Sequence, residues 1–495
     1  MAARVLVVGA GGAGLAAALS AVHSGAEVCV VSKTRVGMNT CTAYSGGMFA
    51  LASGDVTPQA FFEKTMRAGQ NVNNPALVRV LADESEQSLR QLAAWGVDIR
   101  FPSSGWGSVR HTAPYKLMAG SGMMQQAAAA AARAGVRFAE FTAVTRLRVK
   151  NGRVVGADLT DWRTGRTEFF AADAVVLACG GGGRMFSRTD NPVRMTGDGY
   201  ALALDAGAEL IDMEFTQFYP VGWAEPGLPV WMADLCLADF LPVTDSEGNE
   251  FLLDALHRWG YKDGREGNLY ARDRCSVLIE QTHRRGGAFA HFECLSDEQR
   301  RDKGVVFSLI LDVRRFDSIR RPVRIEPLQH YMCGGVKIDE NCRTGIGGLY
   351  ACGEVSGGVD GANRIGGNAL SNIVTFGIRA GANAAAESAG ARSSAEAEPN
   401  RFSDEGHAPR ELRTKLQNTM WRCLGPVRTK QSITEALQFL DELKTQKMAV
   451  RSPQECLEAL EMPGLAATSR AVALAALARK KSLGTHYRAD SLETE

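Results

Sequence analysis

Three hydrophobic patterns alternate along the chain. Short continuous apolar runs at Val5–Val8 and Ala174–Ala178 have the length of strands buried on both faces of a parallel sheet. Helical spacing of apolar positions predicts helices over Pro58–Arg67, Leu77–Trp95, Gly122–Arg133 and Ile373–Glu387. Alternation with period two predicts strands over Arg137–Thr145, Arg153–Leu159 and Thr167–Phe170, with Asn151-Gly152 as a hairpin turn. Gly348–Glu354 reads as another strand entering a glycine turn. From Glu411 the pattern is helical almost to the end, with no repeat of solenoid spacing. Between about Tyr219 and Gly345 tryptophans, prolines and charges increase and the two periodicities mix, which predicts an inserted domain. The stretch 391–409 is rich in Ser, Ala, Glu and Pro and reads as an exposed linker.

Residues 5–33 combine these signals into strand, turn, helix and strand. The turn is Gly9-x-Gly11-x-x-Gly14, with Gly12 and Ala13 inside it. Gly9 permits the tight turn, Gly11 lets backbone approach a pyrophosphate, and Gly14 lets the helix lie against the sheet. The helix N-terminus offers N–H groups and the positive end of its dipole to phosphate. The run Ala174–Ala178 likewise ends in Cys179 and four glycines that begin with Gly180 and Gly181, as a strand meeting a ligand would. An acidic residue at the end of the second strand often binds a ribose; that place holds Ser32, followed by Lys33, which weakens a nicotinamide dinucleotide reading.

Composition narrows the class. A chain of 495 residues exceeds one core, so two or three domains are expected. A net charge of +1 gives no reason to expect nucleic acid or an anionic membrane as a partner. The eleven cysteines form no CxxC pair and no haem-attachment motif, which argues against a cluster, a zinc knuckle or covalent haem. Their odd number fits a reducing compartment. No secretory leader is visible, and the alanine-rich Ala127–Ala134 is too short for a membrane span. A cytoplasmic chain without a transmembrane segment is expected; self-association is left open.

Ordered motifs along nearly the whole length then resemble one family, the flavoproteins of succinate dehydrogenase, fumarate reductase and L-aspartate oxidase. The second strand ends in Ser32-Lys33 as the family's does. Thr196-Gly197-Asp198-Gly199 matches its TGDG, and Gly353-Glu354 its Gly-Glu contact to flavin. Gly361-Ala362-Asn363-Arg364 and Gly366-Gly367-Asn368-Ala369-Leu370 match segments beside the flavin ring. His330-Tyr331-x-x-Gly334-Gly335, Ala271-Arg272-Asp273 and the tail Ser482–Asp490 match three more. The loop Met38–Gly47 aligns with the family's SHTVAAQGG, which brings Asn39, Thr40, Ser45, Gly46 and Gly47 to the flavin.

The resemblance implies FAD between a nucleotide domain and a cap, with substrate at their interface. It implies Arg272 as proton donor, and His330 and Arg364 as grips on a substrate carboxylate. A planar guanidinium pairs bidentately with a carboxylate, which suits that role. A proton-donating arginine needs a reprotonating relay, for which Asp273 or Asp234 is a candidate. Arg272 beside Asp273 could also be an ordinary surface ion pair, and His330 a satisfied core histidine. Cys41 and Cys333 near the flavin read as inert buried thiols.

Two departures from the family matter. The histidine that carries covalent FAD in the membrane-bound enzymes falls at about Thr40, so non-covalent FAD is expected. The segment Gln217-Phe218-Tyr219-Pro220-Val221 has Tyr219 where the family has a substrate-binding histidine, and a threonine–glutamate pair downstream falls near Ala233-Asp234. One end of the pocket is therefore altered. Tyr219 can donate a hydrogen bond but carries no charge at neutral pH. A larger or half-neutral unsaturated acid, its thioester or its amide becomes the expected substrate instead of plain succinate or fumarate.

The expected fold is α/β: a split Rossmann-like FAD domain (1–218 and 346–390), an inserted α+β capping domain (219–345), the linker 391–409 and a helical domain (410–495). The expected activity is interconversion of a C=C and a CH–CH bond next to a carboxyl or acyl group, with hydride transfer at flavin N5. Electrons would come from or go to a separate partner: an iron–sulfur protein, a quinone or a flavin. Oxidation of an amino acid in the manner of L-aspartate oxidase, and a flavin electron-transfer protein without its own substrate, are the alternatives.

Overall fold

The structure, a computed structural model, describes residues 2–110, 118–227, 230–302, 320–387 and 395–491. His111, most of the charge-rich stretch Arg300–Arg324 and the first part of the expected linker lie outside the described residues.

Five parallel strands form the nucleotide sheet, in the order Leu349–Ala351, Ala174–Leu177, Arg4–Val8, Glu27–Val31 and Arg137–Ala139. Val5, Leu6 and Val7 are wholly buried, as are Ala174–Leu177, which is why these runs are continuously apolar rather than alternating. The chain leaves Arg4–Val8 toward one neighbour and returns on its other side through Ala174–Leu177. The glycine turn therefore sits at the switch in strand order, where α/β sheets open a crevice for ligands.

The helix Gly12–His23 follows that turn and packs along most of the helix Asn368–Ala385. Side chains at Gly377 and Gly381 would strike the backbone of Ala13 and Ala17, so these glycines let the two helices touch. The second helix begins five residues before the expected Ile373. Its first turns are buried among Asn368, Ser371 and Asn372, so amphipathic periodicity is absent there.

Two other expectations change in detail. The strand expected over Arg137–Thr145 is split into Arg137–Ala139 and Thr142–Lys150. The first piece joins the parallel nucleotide sheet and the second an antiparallel three-stranded sheet, with Phe141 (φ +57°) at the break. The helix expected from Gly122 starts three residues earlier, as Ala119–Arg133, and a side chain at Gly120 would collide with the Thr42 carbonyl. The hairpin turn at Asn151-Gly152 takes the two positive φ angles, +53° and +72°, that its sequence predicts.

The cap is an antiparallel sheet in the order Thr216–Trp223, Pro322–Met332, Ala288–His291 and Val243–Asp245. Helices Leu252–Arg258, Gly264–Tyr270 and Arg272–Arg284 accompany it. It has its own core around Val221, Trp223, Leu235, Ile279, Phe292 and Ile325. Helices Pro409–Leu424, Lys430–Leu443 and Pro453–Ala478 form the C-terminal layer. Among the described residues no helix is long and apolar enough to cross a membrane, and no cluster of potential metal ligands occurs.

Candidate active site

The cofactor cradle is built from backbone. Gly9 adopts φ +111°, and a side chain there would collide with the Ala178 carbonyl. Gly14 lies against the Gly9 carbonyl, which seats the helix on the sheet. Gly11 caps the helix without a side-chain bond, and a methyl group on it would meet only Thr40, at 3.7 Å. Gly12 N–H donates to Thr42 Oγ1 at 3.2 Å, and Ser45 Oγ donates to the Thr42 carbonyl at 2.7 Å. Thr42 thus ties the Asn39–Gly47 loop to the helix start; sequence reasoning missed it because the adjoining Thr40 carried the alignment. Gly46 opens on space with nothing within 4 Å. Gly47 and Gly180 take positive φ, and Gly353 packs on Ala13. A helix N-terminus whose N-cap is a glycine, beside open glycine backbone, fits a dinucleotide pyrophosphate.

Ser32 accepts the Thr34 N–H at 3.3 Å. Lys33 turns its ammonium to Asp198 Oδ2 (2.6 Å), Thr196 Oγ1 (2.8 Å), the Arg194 carbonyl (3.1 Å) and Glu461 Oε1 (2.8 Å). Lys33, Thr196 and Asp198 therefore satisfy one another and lock the nucleotide body to the C-terminal helix Pro453–Ala478. Glu354 accepts the Met332 N–H at 3.1 Å, lies against Gly181, and has its carboxyl pushed up to about 7 by burial. Asn368 donates to Thr65 Oγ1 at 3.1 Å, while Ala369 and Leu370 stay half-buried on the turn that follows Gly367.

Two basic side chains of the cap, Arg272 and His330, meet a third, Arg364, from the second FAD-domain segment. Arg272 opens the helix Arg272–Arg284 and is 6 % exposed. Its Nε donates to Asn268 Oδ1 at 2.9 Å, its guanidinium lies 4.8 Å over the Tyr219 ring, and its buried Nη1 has no partner. A side chain at Gly366 would come within 3.2 Å of Arg272 Nη2, which places the flavin-side turn next to this arginine. Arg364, equally buried, donates through Nε and Nη2 to Gln217 Oε1 at 3.3 and 3.2 Å and stacks 4.5 Å over Tyr331. Gln217 also donates to Asn363 Oδ1 and the Arg364 carbonyl, each at 2.7 Å, so its amide is fully engaged. Neither arginine has a carboxylate within 4 Å among the described residues; Asp360, whose carboxyl burial raises to about 6, acts on Arg364 from farther away. Burying a guanidinium without a counter-ion is costly. Two such groups close enough to act on each other make a place for an anion.

His330 packs edge-on to Tyr219, with ring centroids 5.4 Å apart. Burial lowers its proton affinity and Arg364 and Arg272 add to that, while Asp190 opposes them. Burial lowers Arg272 too, with Arg364 pushing the same way. The surface ion pair that Arg272-Asp273 could have formed is absent: Asp273 faces Gln70 Nε2 at 3.5 Å and is raised by burial. Asp234 caps the Cys236 N–H at 2.9 Å and accepts from Asn268 Nδ2 at 3.4 Å; it shares Asn268 with Arg272 and its charge also supports the Arg272 cation.

Tyr219 is enclosed by its neighbours. Its hydroxyl donates to Asn268 Oδ1 at 2.9 Å and accepts the Leu235 N–H at 3.4 Å, and burial raises its proton affinity. Both directions are occupied inside the protein, so Tyr219 serves through its ring, as the wedge between Arg272 and His330. Gln217, Asn268 and Asp190 complete the site and were not singled out from the sequence. Asn268 lies four residues before Arg272, a helical spacing that could have flagged it; Asp190 had no local signal. The thiols of Cys41 and Cys333 are pushed well up by burial, as expected of inert cysteines.

Comparison with known proteins follows this geometry. The FAD binding domain family matches residues 4–370, and the fumarate reductase flavoprotein C-terminal family matches residues 413–495. One chain of the fumarate reductase (CoM/CoB) of Methanothermobacter marburgensis is 33 % identical over 526 aligned positions, covering 99 % of this chain and 94 % of that one. The L-aspartate oxidase of Streptomyces coelicolor is 31 % identical, covering 100 % and 90 %. Mycobacterium smegmatis Sdh1, solved in complex with UQ1, superposes with a TM-score of 0.83 at 28 % identity, covering 100 % of this chain and 90 % of its own.

Proposed function

The chain belongs to the FAD-dependent flavoprotein family of fumarate reductase, succinate dehydrogenase and L-aspartate oxidase, and on that premise we propose that it interconverts a C=C and a CH–CH bond beside a carboxyl or acyl group. The observation that carries this reading is the pair of buried guanidiniums, Arg272 and Arg364, that lack a counter-ion and meet His330 above the cradle. Bound FAD supplies hydride transfer at N5. The residues of this chain do the rest. Arg364, fixed by Gln217 and Tyr331, holds the substrate carboxylate in one orientation. Arg272, held at Nε by Asn268, keeps its unpartnered Nη1 for the reacting region, where it stabilises developing charge and delivers a proton. Dry surroundings strengthen each of these interactions.

Between Arg272 and His330, where the family has a further histidine, Tyr219 presents an uncharged ring, and its hydroxyl is already committed to Asn268. A substrate with one carboxylate and one uncharged acyl group (an ester, thioester or amide) suits that asymmetry better than a dianion. A separate electron carrier of the iron–sulfur, quinone or flavin type would complete turnover, and eleven unpaired cysteines support a reducing cytoplasm. The test is anaerobic reoxidation of the reduced flavin by a panel of unsaturated acids, monoamides and thioesters. Faster reoxidation by half-neutral acids than by fumarate is expected; a flavin that responds to none of them defeats the reading. Amine oxidation is the second reading, motivated by relatives named L-aspartate oxidase, and peroxide formed with an amino acid would select it.

A further inference from the structure

Asp190 lies in the segment between the four-glycine turn and the helix Asp198–Asp205, and its Oδ2 is 2.7 Å from His330 Nδ1. This carboxylate is built in: its side chain is 7 % exposed. Its other oxygen accepts from Asn191 Nδ2 at 3.1 Å, and the same amide donates to the His330 carbonyl at 2.9 Å. Thr189 Oγ1 donates to Gln329 Oε1 at 2.6 Å and Gln329 N–H to the Arg188 carbonyl at 2.9 Å, so the segment is stitched to the strand that carries His330. A carboxylate only accepts, so the shared hydrogen sits on Nδ1. Nε2, across the ring, has no protein partner among the described residues.

The groups around this pair come from several elements. Tyr219, Arg272 and Arg364 face the imidazole; Arg184, Glu354 and Cys41 act on Asp190's side. Arg272 and Arg364 act on the imidazole and Arg184 lies behind Asp190; among the described residues Asp190 is the one carboxylate paired with the ring.

We propose that Asp190 is a positioning residue of the active site: by holding Nδ1–H it turns His330 Nε2 toward Arg272 and Arg364, so that an acyl anion entering there is bound together with a proton taken up on Nε2. The physical logic is charge balance. An imidazolium facing two guanidiniums with no anion between them is unfavourable. An incoming carboxylate removes that repulsion, and Asp190 stabilises the new cation from behind. The proton comes from solvent and leaves with the ligand.

The placement of His330 by Asp190 stands without any substrate; the proton coupling rests on the pocket proposed above. Histidine-labelled FAD holoenzyme followed by nitrogen NMR tests the first half, with His330→Gln identifying the signal. Wild type should hold the Nδ1–H tautomer. Asp190→Asn should mix the tautomers and move the titration lower by about one pH unit or more, since the Asp190 charge that supports the imidazolium is lost while burial, Arg364 and Arg272 still oppose it. Asp190→Glu should restore part of both, with FAD content unchanged throughout. An unaltered His330 tautomer and titration in Asp190→Asn overturns the proposal. For the second half, fumaramate is bound calorimetrically at pH 7.5 in buffers of different ionisation enthalpy. Uptake approaching one proton per site is expected, reduced at least twofold in Asp190→Asn. Binding without uptake overturns the coupling. Absence of binding, with the tautomer result intact, overturns the half-neutral pocket and the coupling with it, while leaving the positioning role supported.

Discussion

Replacing Arg272 by alanine should separate cofactor binding from chemistry. The cradle glycines lie on other elements. Two contributions to turnover disappear together. A charged donor aimed at developing negative charge in a dry site is worth about 10²–10³ in rate. A positioned proton donor is worth about 10²–10⁴. Their product puts the loss at roughly 10⁴–10⁷, or about 5–10 kcal/mol of barrier. Arg272→Lys keeps a charge but forfeits the Nε bond to Asn268 and the planar stack on Tyr219, so it should recover only a small part. The assay is stopped-flow reoxidation of the reduced flavin by the best acid of the panel, with bound FAD quantified by absorbance. Folding provides the control. Nη1 is buried and unpartnered, so Arg272→Met removes an uncompensated charge and should leave the thermal midpoint unchanged or higher. Full FAD occupancy with kcat within about tenfold of wild type would refute the proton-donor role.

Three other outcomes are expected. Glu354 is neutral up to about pH 7 in the flavin-free protein, above its unfolded value, so its contribution to stability is complete below about pH 4.5 and is lost as pH rises through 7; Glu354→Gln should raise the thermal midpoint at pH 8 and leave it nearly unchanged at pH 4.5, and equal effects at both would contradict this. Precipitation with acid should release the flavin into the supernatant, because Thr40 offers no ring nitrogen for a covalent link; colour that stays with the pellet would show attachment elsewhere. Gly381→Leu should push the helix Asn368–Ala385 off Ala17, costing about 1–3 kcal/mol or more and weakening FAD binding, as measured by thermal unfolding and flavin titration.

Much of the site was legible because it is written in local backbone demands. Gly9 needs positive φ, Gly14 needs contact with a carbonyl, and only glycine meets both, so the turn announces itself. Arg272, His330 and Arg364 were legible through ordered motifs rather than through physics visible in any one segment. The residues that position them were not. Gln217 meets Arg364 from 147 positions away, and Asp190 meets His330 from 140. Tyr219 was legible as a change of residue type, but its hydroxyl turned inward because Asn268 and the Leu235 N–H surround it.

From its residues alone, this chain determined a buried parallel sheet, a glycine cradle for a dinucleotide, an inserted cap and a helical end. Each follows from periodicity or from steric limits that act within a few residues. The tertiary structure decided what the cavity is: two guanidiniums without counter-ions, an imidazole oriented from behind by a carboxylate, and a tyrosine spent on packing. Those properties depend on which side chains lose water together and which find partners, and that is settled only when distant strands and helices close on one another.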